Sequence, residues 1–309
     1  MSGNPMEEKR LKLSILVNNY NYAPFLRACI DSVLKQDYPE YEVIVVDDGS
    51  TDNSREIIAS YGSQIVPVLK ENGGQASSFN AGFAVATGEI IFLLDSDDAF
   101  LPGKLRKIAR LYDREPLDWC FDRVTTVEGE EPAQSVEVEM YDQRDAIRRG
   151  HYPSIPVPTS GLSFRRGLLA QILPMKTAKD VVLSDNYLKF AAVYLGRGAI
   201  ASTPLTFQRI HEANRYTGTS RASSLRPKIM IATGLELARR YSGLQALGKG
   251  LIAGGIAEAD TPFTQLRTEA RRALADGPFE RAAVSQIAIA AARKRLIRKL
   301  KGYRNDNRT

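Results

Sequence analysis

The sequence predicts an α/β fold: a mostly parallel sheet with helices on both faces, followed by a helical C-terminal region. Strand-like and helix-like segments alternate over the first hundred residues. The strand-like segments are near-continuous apolar runs, as expected for parallel strands that are covered on both faces. Residues 225–301 are rich in Ala, Leu and Arg, which favour helices.

Four strands and three helices are predicted in the first hundred residues. The strands are LSILV at 13–17, EVIVVDD at 42–48, IVPVL at 65–69 and EIIFLLD at 89–95. Pro67 favours an edge position for the third strand, because proline has no N–H to donate. A helix follows each of the first three strands: APFLRACIDSVLKQ, REIIASY after the turn GSTDNS, and QASSFNAGFAVAT before Gly88.

The pattern is less regular beyond residue 116. DWCFDRVTTV and VEVEM are predicted strands, with a turn at EGEEPAQ between them. HYPSIPVPTSGLSFRR is Pro-rich and reads as irregular. LLAQILP and DNYLKFAAVYLG are predicted helices.

Composition indicates a soluble globular protein, with 43% apolar and 25% charged residues among 309. Of 42 Lys and Arg, 20 lie in residues 205–309, against only 8 of 36 Asp and Glu. The basic character therefore belongs to the C-terminal third. The sequence predicts no transmembrane helix and no signal peptide. Cys29 and Cys120 lack metal-ligand spacing, and a cytoplasmic location is the simplest expectation.

Polar clusters end three of the predicted strands: NNYNY, DDGS and DSDD. Since parallel strands present their carboxyl ends at one edge, where ligands bind, these clusters should lie together. Two interpretations of DSDD are equally open from the residues alone. The acids could end a strand in solvent, with Asp98 capping the next helix, or they could hold a cation. Oxygen ligands of this kind suit Mg²⁺ or Mn²⁺.

Other groups at this edge suit a nucleotide. Asp48 is an acceptor for a nucleobase or ribose, Asn18 offers an amide, and Tyr20 offers an aromatic face. Gly74 lies in a loop where the backbone could approach a ligand closely. The chain has neither a GxGxxG nor a GxxxxGK[ST] motif, which argues against dehydrogenases and P-loop NTPases.

Three segments together resemble family 2 glycosyltransferases of the Rossmann-like GT-A fold: LSILVNNYNYAPF through VDDGSTDNS, ENGGQASSFNAGFAVATGEIIFLLDSDD, and LSDNYL. The resemblance is dense over residues 12–110 and sparser to about residue 215. It implies a GT-A catalytic domain at 11–215, divided into a nucleotide-sugar-binding half at 11–115 and an acceptor-side half at 116–215. A basic, mainly helical region would follow at 216–309.

The resemblance implies an inverting, divalent-metal-dependent transfer from a nucleoside-diphosphate sugar, a UDP-sugar foremost. The acceptor would be a hydroxyl of a cell-surface glycan or of a lipid-linked oligosaccharide precursor. A non-catalytic nucleotide-sugar-binding protein and a nucleotidyltransferase of related fold are the alternatives.

Residue roles carry over at the matching positions. The family's nucleobase ligand matches Asp48, and its DxD motif matches Asp95, Ser96 and Asp97. Asp95 would face the ribose, and Asp97 would bind Mn²⁺ or Mg²⁺ on the diphosphate. Asp98 extends the motif, as a second metal ligand or as the helix cap.

The chain departs from the family pattern at several positions. It has Asn18-Asn19 where the family often has Pro-Thr, and Phe79 where the family often has Arg. The resemblance makes Asp185 the catalytic base, with Ser184 in place of the usual Glu. Helix capping is the alternative for Asp185, and Asp180 is the second candidate for the base.

FQRIHEANRYTG resembles a later family segment, in which the residue matching His211 can ligate the cation or meet the diphosphate. Arg209 and Arg215 flank it and could neutralise phosphate charge, although simple solvation is the alternative. His151 reads as a loop residue.

The C-terminal segment AVSQIAIAAARKRLIRKLKGYR has seven Lys and Arg between positions 293 and 304. One hypothesis is peripheral contact with the inner face of an anionic membrane. Helix-pair oligomerisation and a solvated tail remain open. Nucleic-acid binding is not predicted, because aromatic residues are not interleaved with the basic ones.

Overall fold

The computed structural model describes residues 10–131, 134–175, 185–212, 220–259, 265–274 and 281–306. They belong to two compact units. The first unit contains the described residues of Met1–Asp142, Pro156–Met175 and Gly196–Arg209; the second contains those of Gln143–Ile155, Lys176–Leu195 and Ile210–Thr309. Because the units interleave along the chain, the predicted domain boundary near residue 215 stays a prediction.

One sheet runs through the first unit. Its described strands are β1 (Leu13–Asn19), β2 (Tyr41–Asp48), β3 (Val66–Lys70), β4 (Ile90–Asp95), β5 (Ala99–Phe100), β6 (Trp119–Thr125), β7 (Val138–Tyr141), β8 (Leu162–Arg165) and β9 (Gly198–Phe207). They lie in the order β3-β2-β1-β4-β8-β6-β9-β5, and β7 pairs with β9. The edge position predicted for the strand that contains Pro67 is confirmed, since β3 ends this order.

Strand direction divides the sheet. The strands β3, β2, β1 and β4 are mutually parallel, and β6 is parallel to β9. In contrast, β8 is antiparallel to both of its neighbours, β4 and β6. The short strands β5 and β7 run antiparallel to β9. The predicted fold class, α/β with a mostly parallel sheet, is confirmed.

Helices of the first unit connect these strands: α1 (Ala23–Leu34), α2 (Ser54–Ser60), α3 (Gln75–Val85), α4 (Lys104–Arg114) and α6 (Arg166–Ile172). The side chains of β1 are buried along its whole length, as its apolar sequence predicts. One core cluster joins β1, β2 and β4 to α1 and α4. This burial fixes the strands and brings their carboxyl ends to one edge of the sheet.

The second unit is helical. Its described helices are α5 (Arg144–Arg148), α7 (Asp185–Leu195), α8 (Ser220–Arg240), α9 (Gln245–Glu258), α10 (Leu266–Leu274) and α11 (Arg281–Asp306). Glycines allow α8 and α9 to approach closely: a Cβ on Gly248 would lie 2.6 Å from the carbonyl oxygen of Gly234. A second apolar cluster joins α9, α10 and α11. None of the described helices combines the length and apolar character that a membrane crossing requires.

Candidate functional site

Hydrogen bonds join the loops that follow β1 and β2. The side-chain amide of Asn19 donates to Asp47 (3.0 Å) and to Ser50 Oγ (3.2 Å). Asn21 adopts a left-handed φ of 57°, and its side-chain oxygen accepts a bond from the Thr51 N–H (2.8 Å). The polar clusters NNYNY and DDGS therefore lie together, as their positions at parallel strand ends predict.

Asp47 is the anchor of this pair of loops. Its buried carboxylate also accepts bonds from the Ser50 N–H (3.0 Å) and from Arg55 Nε (2.8 Å). Burial alone would raise the pKa of Asp47, but bonds from Ser50, Arg55 and Asn19 outweigh it and hold the pKa below its ordinary value. Asp47 thus holds the loops in place.

The neighbouring carboxylate, Asp48, contacts the loop between β3 and α3. Its Oδ1 accepts bonds from Lys70 Nζ (2.5 Å) and the Gly73 N–H (2.9 Å), and its Oδ2 accepts one from the Gly74 N–H (2.7 Å). Gly74 has a φ of 82°, a conformation that favours glycine. A carboxylate has about four acceptor positions, so one position on Oδ2 remains for a ligand.

An open cleft of about 490 Å³ adjoins Lys70, the partner of Asp48. It is lined by Gly49, Ser50, Arg55, Leu69, Lys70, Glu71 and Asn72. Lys70 was not predicted from the sequence, because its pairing with Asp48 depends on the neighbouring strands β2 and β3 lying side by side.

Buried polar atoms without partners lie where β1 and β4 end. Asn18 is 8% exposed and Ser96 is 1% exposed. Among the described residues, neither amide atom of Asn18 nor the Ser96 hydroxyl has a hydrogen-bond partner. The Ser96 N–H donates to the Asn18 carbonyl (3.1 Å), so the two residues are adjacent. A buried polar atom that forms no hydrogen bond costs roughly 1–3 kcal/mol, so a water molecule or a polar ligand is expected to pair with these atoms. Tyr20 follows β1 and is half-buried.

The acidic cluster Asp95, Asp97 and Asp98 continues from β4. The side-chain amide of Gln75 donates to Asp95 Oδ1 (3.3 Å). Asp98 accepts bonds from Ser160 Oγ (2.6 Å) and the Arg209 N–H (3.0 Å). Burial, together with the nearby charge of Asp97, raises the pKa of Asp98 to about 7.

The helix-cap alternative for Asp98 is wrong. The residue before α4 is Gly103, and no side chain caps the helix. The carboxylate of Asp98 instead bonds Ser160 and Arg209, which lie far away in sequence. Arg209 is held at the cluster, since its Nε also donates to the Asp97 carbonyl (3.3 Å).

The donor atoms at this edge fit a hard divalent cation. Among the described residues, no three or more His, Cys, Asp or Glu side chains come together as a metal-binding group. A cation at this edge would need ligands beyond the carboxylates that the described residues bring together. One or two carboxylates with substrate phosphates are the usual ligands of Mg²⁺ in enzymes that bind phosphorylated substrates. The unpartnered Ser96 hydroxyl lies within the same DSDD segment.

Asp185 belongs to the second unit and is the first residue of α7. Its buried carboxylate accepts bonds from the Asn186 N–H (2.7 Å) and from Lys189 Nζ (2.9 Å). Lys189, one helical turn further on, is a partner that sequence reasoning missed. The bond to Asn186 satisfies one N–H of the first turn, so Asp185 also serves the helix end.

His211 also belongs to the second unit and is half-buried. The second candidate base Asp180, the departure at Ser184, and Arg215 lie outside the described residues. His151 is exposed in a loop, where its ring contacts the Ala146 carbonyl (3.2 Å). Phe79, the other departure from the family pattern, is fully buried in the core.

Sequence comparison identifies the family of this chain. The family model of glycosyl transferase family 2 matches residues 14–173, more than half of the chain. An uncharacterized glycosyltransferase of Nostoc sp. strain PCC 7120 is 32% identical over 241 residues. That match covers 75% of this chain and 74% of the Nostoc protein.

Two solved structures are similar in fold. S. aureus TarS 1–349 in complex with UDP-GlcNAc matches with a TM-score of 0.63 and 18% identity, covering 96% of this chain and 92% of the TarS 1–349 chain. The mannosyltransferase PcManGT from Pyrobaculum calidifontis, in complex with GDP-Man and Mn²⁺, matches with a TM-score of 0.51 and 20% identity, over 94% and 88% of the two chains. The family match and the Nostoc relative show that this chain belongs to glycosyl transferase family 2, has the GT-A fold and is a glycosyltransferase.

Proposed function

We propose that the chain is an inverting, divalent-metal-dependent glycosyltransferase that uses a nucleoside-diphosphate sugar, a UDP-sugar foremost. The observation that carries this proposal is the set of buried, unpartnered polar atoms of Asn18 and Ser96 beside the acidic cluster. The solved neighbours support it, since one was crystallised with UDP-GlcNAc and the other with GDP-Man and Mn²⁺. The acceptor is a hydroxyl of a cell-surface glycan or of a lipid-linked oligosaccharide precursor.

The contacts of Asp48 favour uracil as the base. Uracil presents one N–H donor flanked by two carbonyl acceptors. The open position on Asp48 Oδ2 accepts a donor, while the adjacent Lys70 ammonium donates to an acceptor. Guanine presents two adjacent donors, N1–H and the 2-amino group, and the single open position on Asp48 Oδ2 would leave one of them without this carboxylate as an acceptor. Tyr20, with its aromatic face, and Gly74, where the backbone can approach a ligand closely, complete the proposed nucleotide site.

The acidic cluster is the proposed metal and diphosphate site. Asp97 is the principal ligand for Mn²⁺ or Mg²⁺, Asp95 faces the ribose, and Asp98 and His211 are further proposed ligands. A bound cation of this kind stabilises the negative charge that develops on a departing diphosphate. Arg209, docked on the Asp97 carbonyl, adds positive charge on the same side.

Asp185 is the proposed general base. Its carboxylate takes the proton of the acceptor hydroxyl, while the acceptor oxygen attacks the anomeric carbon opposite the nucleoside diphosphate. The new C–O bond forms as the bond to the diphosphate breaks, and the anomeric centre inverts. The ion pair with Lys189 fixes the orientation of Oδ2 for this role.

A thermal-shift panel of UDP-, GDP-, dTDP- and CMP-sugars, with and without Mn²⁺, tests the donor and the metal together. We expect the largest rise in melting temperature with UDP-sugars, and only with Mn²⁺ present. An equal rise without the metal would contradict metal dependence, and a larger rise with GDP-sugars would contradict the uracil assignment.

Substitution of the proposed base separates a transferase from a non-catalytic binding protein. Asp185→Asn should abolish transfer to the acceptor but keep Mn²⁺-dependent nucleotide binding. Asp145→Asn is the control, because Asp145 is an exposed acid of the same unit that pairs with Arg148 (3.2 Å). Turnover that survives Asp185→Asn would dismiss Asp185 as the base. Release of pyrophosphate from a nucleoside triphosphate by the wild-type chain would favour the nucleotidyltransferase alternative.

We further propose that α11 contacts an anionic membrane surface. One side of the helix exposes Ile289, Leu296 and Ile297 together with Arg293. Apolar side chains interleaved with cations are typical of helices that lie in the membrane interface. In flotation with phosphatidylglycerol vesicles, Ile289→Ser/Leu296→Ser should reduce the bound fraction. Equal flotation of this variant and the wild-type chain would contradict membrane contact.

A further inference from the structure

Ser160 contacts both the acidic cluster and a buried lysine of the first unit. It is fully buried in the turn that precedes β8. Its hydroxyl donates to Asp98 Oδ2 (2.6 Å) and accepts a bond from the Asp95 N–H (3.1 Å). One hydroxyl therefore holds both the side chain of one acid and the backbone of another.

The carbonyl of Ser160 accepts a hydrogen bond from a buried ammonium. Lys104 is the first residue of α4, and its side chain is 1% exposed. Its Nζ donates to Thr206 Oγ1 (2.5 Å), to the Ser160 carbonyl (2.9 Å) and to Asp122 Oδ2 (3.1 Å), and it lies 2.8 Å from Asp122 Oδ1. An ammonium has three donors, so each donor has its own acceptor.

Thr206 cannot replace Lys104 at the Ser160 carbonyl without leaving another group unpaired. Its hydroxyl has one proton, which lies within reach of Asp122 Oδ2 (2.9 Å) and of the Ser160 carbonyl (3.2 Å). The carboxylate is the closer and the stronger acceptor. Lys104 is therefore the main donor to the Ser160 carbonyl.

These residues come from four separate parts of the chain: Lys104 from α4, Asp122 from β6, Ser160 from the turn before β8, and Thr206 from β9. A buried ion pair contributes little net stability, because desolvation of both charges offsets their attraction. Well-packed apolar residues in place of Lys104 and Asp122 would stabilise the fold equally well. The contact that an apolar pair could not supply is the bond to the Ser160 carbonyl.

We propose that Ser160 is a positioning residue for the acidic cluster and that the buried Lys104–Asp122 pair, with Thr206, holds Ser160 in place. Ser160 acts through the Asp98 carboxylate and the Asp95 backbone and touches no substrate itself. This inference rests on the proposed metal and diphosphate role of the cluster. The function of the ion pair is then to fix the orientation of Asp95 and Asp98 indirectly, through Ser160.

Mn²⁺ titration of the full chain by calorimetry tests the proposal. Ser160→Ala removes both hydroxyl bonds, and we expect the Kd for Mn²⁺ to rise about tenfold, as for the loss of one hydrogen bond to a charged group. Ser160→Thr keeps the hydroxyl and should restore the Kd to within about twofold of the wild-type value. UDP titrated in saturating Mn²⁺ should follow the same order of variants.

Ser163→Ala is the matched control. Ser163 is also fully buried, three residues further along the chain, and its hydroxyl donates to the Cys120 carbonyl (2.6 Å) and meets the Tyr112 hydroxyl (3.1 Å). This variant should lower the melting temperature about as much as Ser160→Ala and leave the Kd for Mn²⁺ unchanged. An equal rise in Kd in both variants would assign the effect to general destabilisation and overturn the proposal.

The remaining outcomes are equally decisive. A wild-type Kd in Ser160→Ala overturns this inference alone, whereas absence of Mn²⁺ binding by the wild-type chain overturns the proposed metal site and the inference with it. If Ser160→Ala does not fold, Thr206→Val takes its place in the titration, since it perturbs the same network without touching the cluster. We expect its Kd for Mn²⁺ to rise about threefold, and an unchanged Kd would overturn the proposal.

Discussion

Lys104→Met removes one charge of a fully buried ion pair and keeps most of the side-chain volume. The charged atoms of Lys104 and Asp122 lie 2.8 Å apart, with side chains 1% and 0% exposed, so water cannot compensate the loss. The Thr206 hydroxyl has one proton, so it can donate to Asp122 or to the Ser160 carbonyl but not to both. We expect the free energy of unfolding at pH 7 to fall by about 3–5 kcal/mol, the usual cost of leaving one buried charge unpaired.

The same variant has a characteristic pH dependence. Burial raises the pKa of Asp122, and Lys104 opposes that rise in the wild-type chain. Without Lys104, the native state binds a proton on Asp122 that the unfolded state, with an aspartate pKa of about 3.9, releases. Because the native state then holds more protons, stability falls as pH rises above about 4. Urea unfolding should therefore show a larger deficit at pH 8 than at pH 5.

Lys104→Met/Asp122→Leu completes the double-mutant cycle. Replacing both charges with apolar side chains should return the unfolding free energy to within about 1 kcal/mol of the wild-type value. The expected cost of an unpaired buried charge is refuted if the single variant loses less than about 1 kcal/mol, if its deficit is the same at both pH values, or if the double variant shows additive losses.

Two further outcomes follow from contacts elsewhere. Asp47→Asn should lower the unfolding free energy by about 2 kcal/mol at pH 7, since it removes bonds to an ionised carboxylate. Because the pKa of Asp47 is lowered, its contribution is complete above about pH 4 and lost as pH falls through the folded-state value; an unchanged deficit at pH 2.5 would contradict this. Gly248→Ala should cost about 1–3 kcal/mol, because its Cβ would meet the Gly234 carbonyl oxygen at 2.6 Å. Gly250→Ala, whose Cβ meets nothing within 4 Å, should not destabilise, and equal melting temperatures for the two variants would refute a steric cause.

The parallel half of the sheet was predictable from local pattern. The strands β1, β2 and β4 are continuous apolar runs that end in polar clusters, and each observed strand contains or closely matches its predicted run. The backbone of Pro67 was enough to assign β3 to the edge. Since the carboxyl ends of parallel strands share one edge, the meeting of NNYNY and DDGS followed from topology alone.

The second half of the sheet was not predictable in this way. The segment HYPSIPVPTSGLSFRR, read as irregular, contains the four-residue strand β8. The strand β9 includes Pro204 as well as Ser and Thr residues, and its middle has one exposed and two half-buried positions, so it lacks a continuous apolar run. Pairing with distant strands stabilises these segments, and no local signal records such a pairing.

The site shows the same division. Asp48, Asp95 and Asp98 were found from their positions at strand ends, whereas Lys70, Ser160 and Lys104 act across long sequence separations. One signal for Lys104 was present. In α4 the buried positions 104, 105, 108, 109 and 112 form a single helical stripe, so the lysine lies on the apolar side. A charged residue on that stripe indicates a buried partner.

The reversed direction of β8 has a consequence for how this family member tolerates change. Because β8 is antiparallel to β4, the N-terminal end of β8 lies beside the C-terminal end of β4. This arrangement places Ser160 opposite Asp95. Contacts with β4 and β6 fix the turn Thr159–Gly161. It packs so closely that a Cβ on Gly161 would meet the Asp122 carbonyl oxygen at 2.2 Å. Insertions before Pro158 would therefore lengthen the approach to the turn without displacing it. Such insertions would leave the hydrogen bonds of Ser160 to Asp95 and Asp98 unchanged.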